Sequence, residues 1–189
     1  MIKKRRYSFS LTGFMDKYGT KNGTEKYYKW IQSKTSHVQN IQSKVSLKFI
    51  SEFLLLLPDN IICKAEEPIS GYICDFYFPD EKICIEFHGD YWHKNQYVKN
   101  IDTIENIKIA SIQNKTRSES LLNSSDVECL IIVWEYAFTK DQDQCVLNTL
   151  RYFNNKCNFN YYEINYDNTE KRIITEQKEL KNEKIINYI

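Results

Sequence analysis

Between residues 75 and 93 the chain places five side chains able to do chemistry together: Asp75, Glu86, His88, Asp90 and His93. Two carboxylates held close repel each other, and a divalent cation relieves that repulsion. Hard Mg²⁺, or Mn²⁺ in its place, takes oxygen ligands and keeps positions for water and a phosphate oxygen. An ion so held polarises a scissile phosphate and activates an attacking water. Histidine titrates near neutrality, so it can take a proton from water or hand one to a leaving group. The competing reading of the same acids is structural, a buried ion pair or a hydrogen-bonded strand carboxylate.

The elements that must position these groups follow from the flanking pattern. Tyr72 to Phe78 and Ile83 to His88 are two β-rich runs around the polar turn Pro79-Asp80-Glu81-Lys82, which predicts a hairpin. Strand alternation sends Glu86 and His88 to one face and Ile83, Ile85 and Phe87 to the other, while Asp75 is the lone charge in an apolar strand. Cross-strand neighbours sit about 4.5–5.5 Å apart, so the hairpin brings Asp75 into the neighbourhood of Glu86, and these two are the candidate metal ligands. Around the hairpin the pattern predicts a core helix from Ser43 ended by Pro58 and a loop through Glu66, Glu67, Pro68 and Gly71. One or two helices over 101–122, an apolar strand Cys129–Trp134 and a helix marked by Val146, Leu147, Leu150 and Phe153 come next. Residues 156–189 read as a charged, Asn- and Tyr-rich tail with an exposed helix over 169–188.

Asp75 followed after a turn by Glu86-Phe87-His88 resembles the PD-(D/E)XK nuclease signature, with His88 where most members carry lysine. The stretch Ile85 to His93, with Ile131-Ile132-Val133-Trp134-Glu135, resembles the very-short-patch mismatch repair endonucleases and the related phage and intron homing endonucleases. The likeness covers about residues 43–140. It implies an α/β, restriction-endonuclease-like core, a mixed central sheet flanked by helices, and Mg²⁺-dependent hydrolysis of double-stranded DNA. It also implies roles: Asp75 as the metal-binding strand acid, Glu86 as the second acid of the motif, His88 and His93 as the pair acting on the scissile phosphate and its leaving group, and Asp90 as a metal- or water-positioning acid. The family's acid on the first core helix falls on Ser46 here, which leaves Glu52 as the only helical candidate. Asp90 and Tyr136 occupy two places where the repair branch holds zinc-binding cysteines, so no zinc is expected and the homing branch is favoured. The front segment from Leu11 to Trp30 resembles an element often fused to phage mobile-intron nucleases and implies a DNA-contacting module.

Charge distribution leads independently to the same partner. Residues 1–50 carry eleven Lys/Arg against two acids, a surplus of +9, and the whole-chain charge of +1 leaves −8 for the remainder. A basic front on an acidic body suits a polyanion gripped by the first and worked on by the second. The candidate DNA contacts are Lys3, Lys4, Arg5, Arg6, Lys21, Lys26, Lys29 and Lys34, interleaved with Tyr27, Tyr28 and Trp30 on a pair of short helices. Three units result: a basic helical segment over 1–40, a nuclease domain over 41–155 and the tail over 156–189. The six cysteines form no zinc-type spacing and read as buried thiols. No window has the roughly 18 apolar residues of a membrane span, so the chain reads as soluble and cytoplasmic, in a bacterial or phage-infected cell on the strength of the resemblance. The leading expectation is a site-specific, homing-type DNA endonuclease. A mismatch- or structure-directed nickase, a non-cleaving DNA-binding protein, a nuclease for RNA or single strands, and a homodimeric arrangement stay open.

Overall fold

The structure, a computed structural model, describes residues 17–19, 21–22, 26, 43–155 and 159–180. Lys3, Lys4, Arg5, Arg6, Lys29 and Lys34, the aromatics Tyr27, Tyr28 and Trp30, the linker before residue 43 and the end of the tail lie outside the described residues. The chain is an α/β protein with a six-stranded mixed sheet and flanking helices, the strands running in sequence order across the sheet.

Helix α1, Lys44–Leu54, starts where the Ser43 hydroxyl accepts the Ser46 N–H at 3.0 Å, and its Phe49 and Phe53 are buried one turn apart. Strands β1 (Lys64–Ile69), β2 (Tyr72–Phe78) and β3 (Ile83–His88) form an antiparallel meander. The short α2 (Asp90–His93) and the long α3 (Ile104–Leu122) then cross over to β4 (Cys129–Trp134), which lies parallel to β3. Helices α4 (Glu135–Lys140) and α5 (Gln142–Asn154) make the second crossover, to β5 (Tyr161–Asp167), and β6 (Arg172–Lys178) closes the far edge antiparallel. Every residue of β3 and β4 is buried, as expected of central strands covered on both faces.

Alternation along β3 divides the layers. Phe87 packs against Phe49 of α1 and Phe138 of α4, with ring centroids 5.3 and 6.1 Å away, so α1, α4 and α5 cover its face. Phe53, Phe78 and Phe153 continue that aromatic core through edge-to-face contacts of 4.9 to 6.0 Å. Glu86 looks the opposite way, to Arg117 of α3. The hydrophobic pattern thus leaves the α3 face as the one on which polar chemistry is assembled.

Three expectations are corrected here. The loop through Glu66 and Pro68 is strand β1: Ser70 and Gly71, with φ of 50° and 82°, make the two-residue turn that pairs Ile69 with Tyr72. Its two glutamates and proline hid it, and they are tolerated because β1 is an edge. The tail is not a separate unit across 161–178: that stretch is β5 and β6, with Tyr161, Tyr162 and Ile164 buried, and no helix runs over 169–178. Arg172, Glu176 and Lys178 put charge on β6, a sheet edge, where it discourages further pairing. Finally, Cys74 and Cys84 are not thiols but a disulfide between β2 and β3. Among the described residues no helix is long and apolar enough to cross a membrane.

Candidate active site

The hairpin register matches Phe76 to Ile85, Tyr77 to Cys84 and Phe78 to Ile83, so one step further Asp75 falls opposite Glu86. There the backbone ladder gives way to a side chain: Asp75 Oδ2 accepts the Phe87 N–H at 2.8 Å, doing the work of a strand carbonyl. On its other flank, between the pairs Ala65–Phe76 and Glu67–Cys74, Glu66 falls opposite Asp75. The same row continues through Glu86–Ile132, Ile132–Glu163 and Glu163–Glu176. Five of the six strands therefore put an acid on one line across the sheet.

Glu86 is 2% exposed and holds Arg117 of α3 through Oε2, with N···O distances of 3.0 Å to Nε and 2.6 Å to Nη2. Arg117 also donates to the Ile73 carbonyl, tying α3 to β2. Burial, together with the negative charge of Asp75, pushes the Glu86 carboxyl up to about 8 against the pull of Arg117. Burial likewise raises Asp75, opposed by the Phe87 hydrogen bond and Arg117. Glu66 rises through burial and Asp75, and its buried Oε1 has no hydrogen-bond partner among the described residues.

His88 and His93 stack face to face, centroids 3.8 Å apart and planes within 5°, with Trp134 edge-on to both. Asn114 of α3 settles the tautomer of His93. Its amide nitrogen donates to the His93 carbonyl at 3.3 Å, so its oxygen faces Nδ1 at 2.8 Å and accepts a proton there. That leaves the lone pair on His93 Nε2. His88 is 2% exposed, and among the described residues neither ring nitrogen has a hydrogen-bond partner. Burial, His93 and Arg117 drive His88 well below its ordinary range, and burial lowers His93 too, so both rings are neutral at pH 7.

Both imidazoles border a cavity of about 390 Å³ between α3 and strands β4 to β6, whose walls include Asn114, Trp134, Glu163 and Lys178. Trp134 Nε1 and Tyr161 Oη occupy the two oxygens of Glu163 at 2.6 and 2.8 Å. Asp90 lies apart from the carboxylate row: it accepts Asn95 Nδ2 at 2.6 Å, and Asn95 exchanges hydrogen bonds with Asn165 of β5 at 3.2 and 3.1 Å. Asp90 therefore positions the segment that carries His93. Glu52 is not brought to the site, being paired with Lys48 at 3.6 Å on a helix that covers the other face of the sheet. Lys21 and Lys26 are exposed, with Lys26 Nζ 5.2 Å above the Tyr18 ring.

No family model, curated protein or solved structure matches this chain. What the site can do therefore rests on its own geometry.

The residues that sequence reasoning missed are Glu66, Arg117 and Asn114. Glu66 was hidden in a supposed loop. Arg117 and Asn114 lie on one side of α3 with Ser118, but a polar helix with no apolar stripe shows no preferred inner face.

The neutral histidines make a prediction about acid. An imidazole that stays neutral when folded, against about 6.5 when unfolded, contributes stability present above that pH and lost as pH falls below it, by ~1.4 kcal/mol per pH unit. His88→Phe preserves the stack without the proton site. In urea unfolding at pH 7, 6 and 5, the variant is expected to gain on the wild type as pH falls; parallel behaviour would show that His88 accepts its proton in the folded state.

Proposed function

We propose that the chain is a metal-dependent endonuclease that hydrolyses phosphodiester bonds of duplex DNA, of the homing type, on a restriction-endonuclease-like core. The observation that carries this reading is that β3 sets Glu86, which falls in one row with Glu66 and Asp75, two residues from His88 on the same face, with His88 stacked on a second neutral histidine, His93. A divalent cation would relieve the crowding of these acids: among the described residues the buried Glu66 Oε1 has no hydrogen-bond partner, Asp75 spends Oδ2 on the Phe87 N–H, and the three carboxylates would have to draw together to share one ion. Asp75 and Glu66 would hold Mg²⁺ or Mn²⁺, with Glu86 joining as Arg117 gives way. Such an ion supplies Lewis acidity at the phosphate and a more acidic water.

The chain's own groups account for the rest. Asn114 orients His93 so that Nε2 can accept a proton, and the close stack on His88 restricts the pair to one proton at a time because two adjacent imidazolium charges repel. Arg117, once released from Glu86, is a cation beside a developing phosphate charge. Tyr91 and Trp92, 60% and 80% exposed on α2 beside His93, offer faces for stacking on bases, and the exposed Lys21 and Lys26 suit phosphate contacts.

The test is cleavage of supercoiled and linear duplex DNA with Mg²⁺, with Mn²⁺ and with EDTA. Cutting that requires the metal is the expected result. One observation favours a second reading: the Glu86–Arg117 ion pair already neutralises a buried acid, as it would in a DNA-binding protein that does not cut. Tight duplex binding with no cleavage across a broad panel of sequences and metals would establish that reading in place of the enzyme.

A further inference from the structure

Beside the acid row lies a donor set of a different chemical character. The Sγ atoms of Cys74 and Cys84 and a carboxylate oxygen of Glu86 all lie within 4.8 Å of one another, and all three residues are buried. The Glu86 oxygen next to Cys84 is Oε1, 3.7 Å from Sγ, whereas Arg117 holds Oε2. The ion pair therefore turns a free oxygen toward the sulfurs.

We infer that in the reduced protein Cys74, Cys84 and Glu86 bind one thiophilic divalent cation of the zinc class, and that the Cys74–Cys84 disulfide closes this site in the oxidised protein. Sulfur donors select such ions over Mg²⁺. Zinc takes thiolate at about 2.3 Å and carboxylate oxygen at about 2.0–2.2 Å, and three protein ligands with an open fourth position is a common arrangement. Two sulfurs on one tetrahedral ion stand about 3.8 Å apart, a separation that χ1 rotations allow with the Cα atoms 6.3 Å apart. Charge supports the assignment. Two thiolates and the Glu86 carboxylate are balanced by a dication and the Arg117 guanidinium, so a buried site gains no net charge. The inference rests on this ligand geometry and stands whether or not the protein is a nuclease. Because Glu86 belongs to both groups of donors, a soft ion here would withdraw it from the acid row.

Opening the site needs a two-electron reductant. A water-soluble phosphine and one water convert the disulfide to two thiols and the phosphine becomes its oxide; each thiol then releases its proton to solvent as the ion binds. The experiment titrates Co²⁺ into full-length protein, reduced by phosphine and desalted without oxygen, and reads the thiolate-to-cobalt charge-transfer band in the near ultraviolet. The reduced wild type is expected to take up one equivalent with that band, and the oxidised wild type and Cys84→Ser to show none. Glu86→Gln is expected to keep the band with binding weakened by about tenfold or more. Zinc is expected to raise the melting temperature of the reduced wild type only. A reduced wild type with no band beyond that of Cys84→Ser, or a band of equal strength in the oxidised protein, overturns the inference. The two redox forms share one sequence, so their comparison decides the matter even if Cys84→Ser fails to fold.

Discussion

At pH 9, where the Glu86 carboxyl is ionised, Arg117→Met is expected to destabilise the protein by ~3–5 kcal/mol, the usual cost of stranding one member of a buried ion pair. The guanidinium is the cation facing Glu86, which has Asp75 as a like-charged neighbour, and it also ties α3 to the Ile73 carbonyl. The loss should depend on pH with a definite sign. A carboxyl raised to about 8 from 4.5 favours the folded state while protonated, so its stabilisation is complete below 4.5 and lost as pH rises through 8. Removing Arg117 raises the carboxyl further and makes the variant weakest in alkali. Denaturant unfolding at pH 6 and 9 measures this, and the double variant Arg117→Met with Glu86→Leu should regain most of the loss, because apolar replacement of a whole buried pair is often neutral or stabilising. A single variant within ~1 kcal/mol of wild type, with nothing recovered by the double, would mean that solvent reaches Glu86.

Asp75→Asn is expected to lower the proposed cleavage activity by ~10³-fold, about 4 kcal/mol of lost transition-state stabilisation. Stability should change little, because the asparagine oxygen still accepts the Phe87 N–H that fixes the strand end. The variant also carries an independent signature. The negative charge of Asp75 is one reason the Glu86 carboxyl stands near 8, so its neutralisation should move Glu86 down and shift the acidic limb of any residual pH profile with it. Cleavage within tenfold of wild type, on a duplex the wild type cuts with Mg²⁺, would remove Asp75 from the metal site; an unshifted limb would assign that limb to a group other than Glu86.

The sequence by itself determined the hairpin and what it aims. Period-two alternation is a short-range property, so Glu86 and His88 could be placed opposite Ile85 and Phe87, and Asp75 beside Glu86, without knowledge of any distant contact. The helices at α1 and α5 and the apolar strand β4 were legible for the same reason: each repeats its apolar residues within a few positions. Tertiary structure alone decided which partners the site groups acquire. Arg117, thirty-one residues beyond Glu86, reaches it only because the β3–β4 crossover lays α3 over that face. Asn114 and His93 meet through the same crossover. The parting of Glu52 from the acids, the disulfide between β2 and β3, and the recruitment of the polar edge strand β6 into the sheet likewise depend on pairings between residues. Edge strands need no apolar alternation of their own, and polar helices show no inner face until something packs on them, so local pattern carries no trace of either.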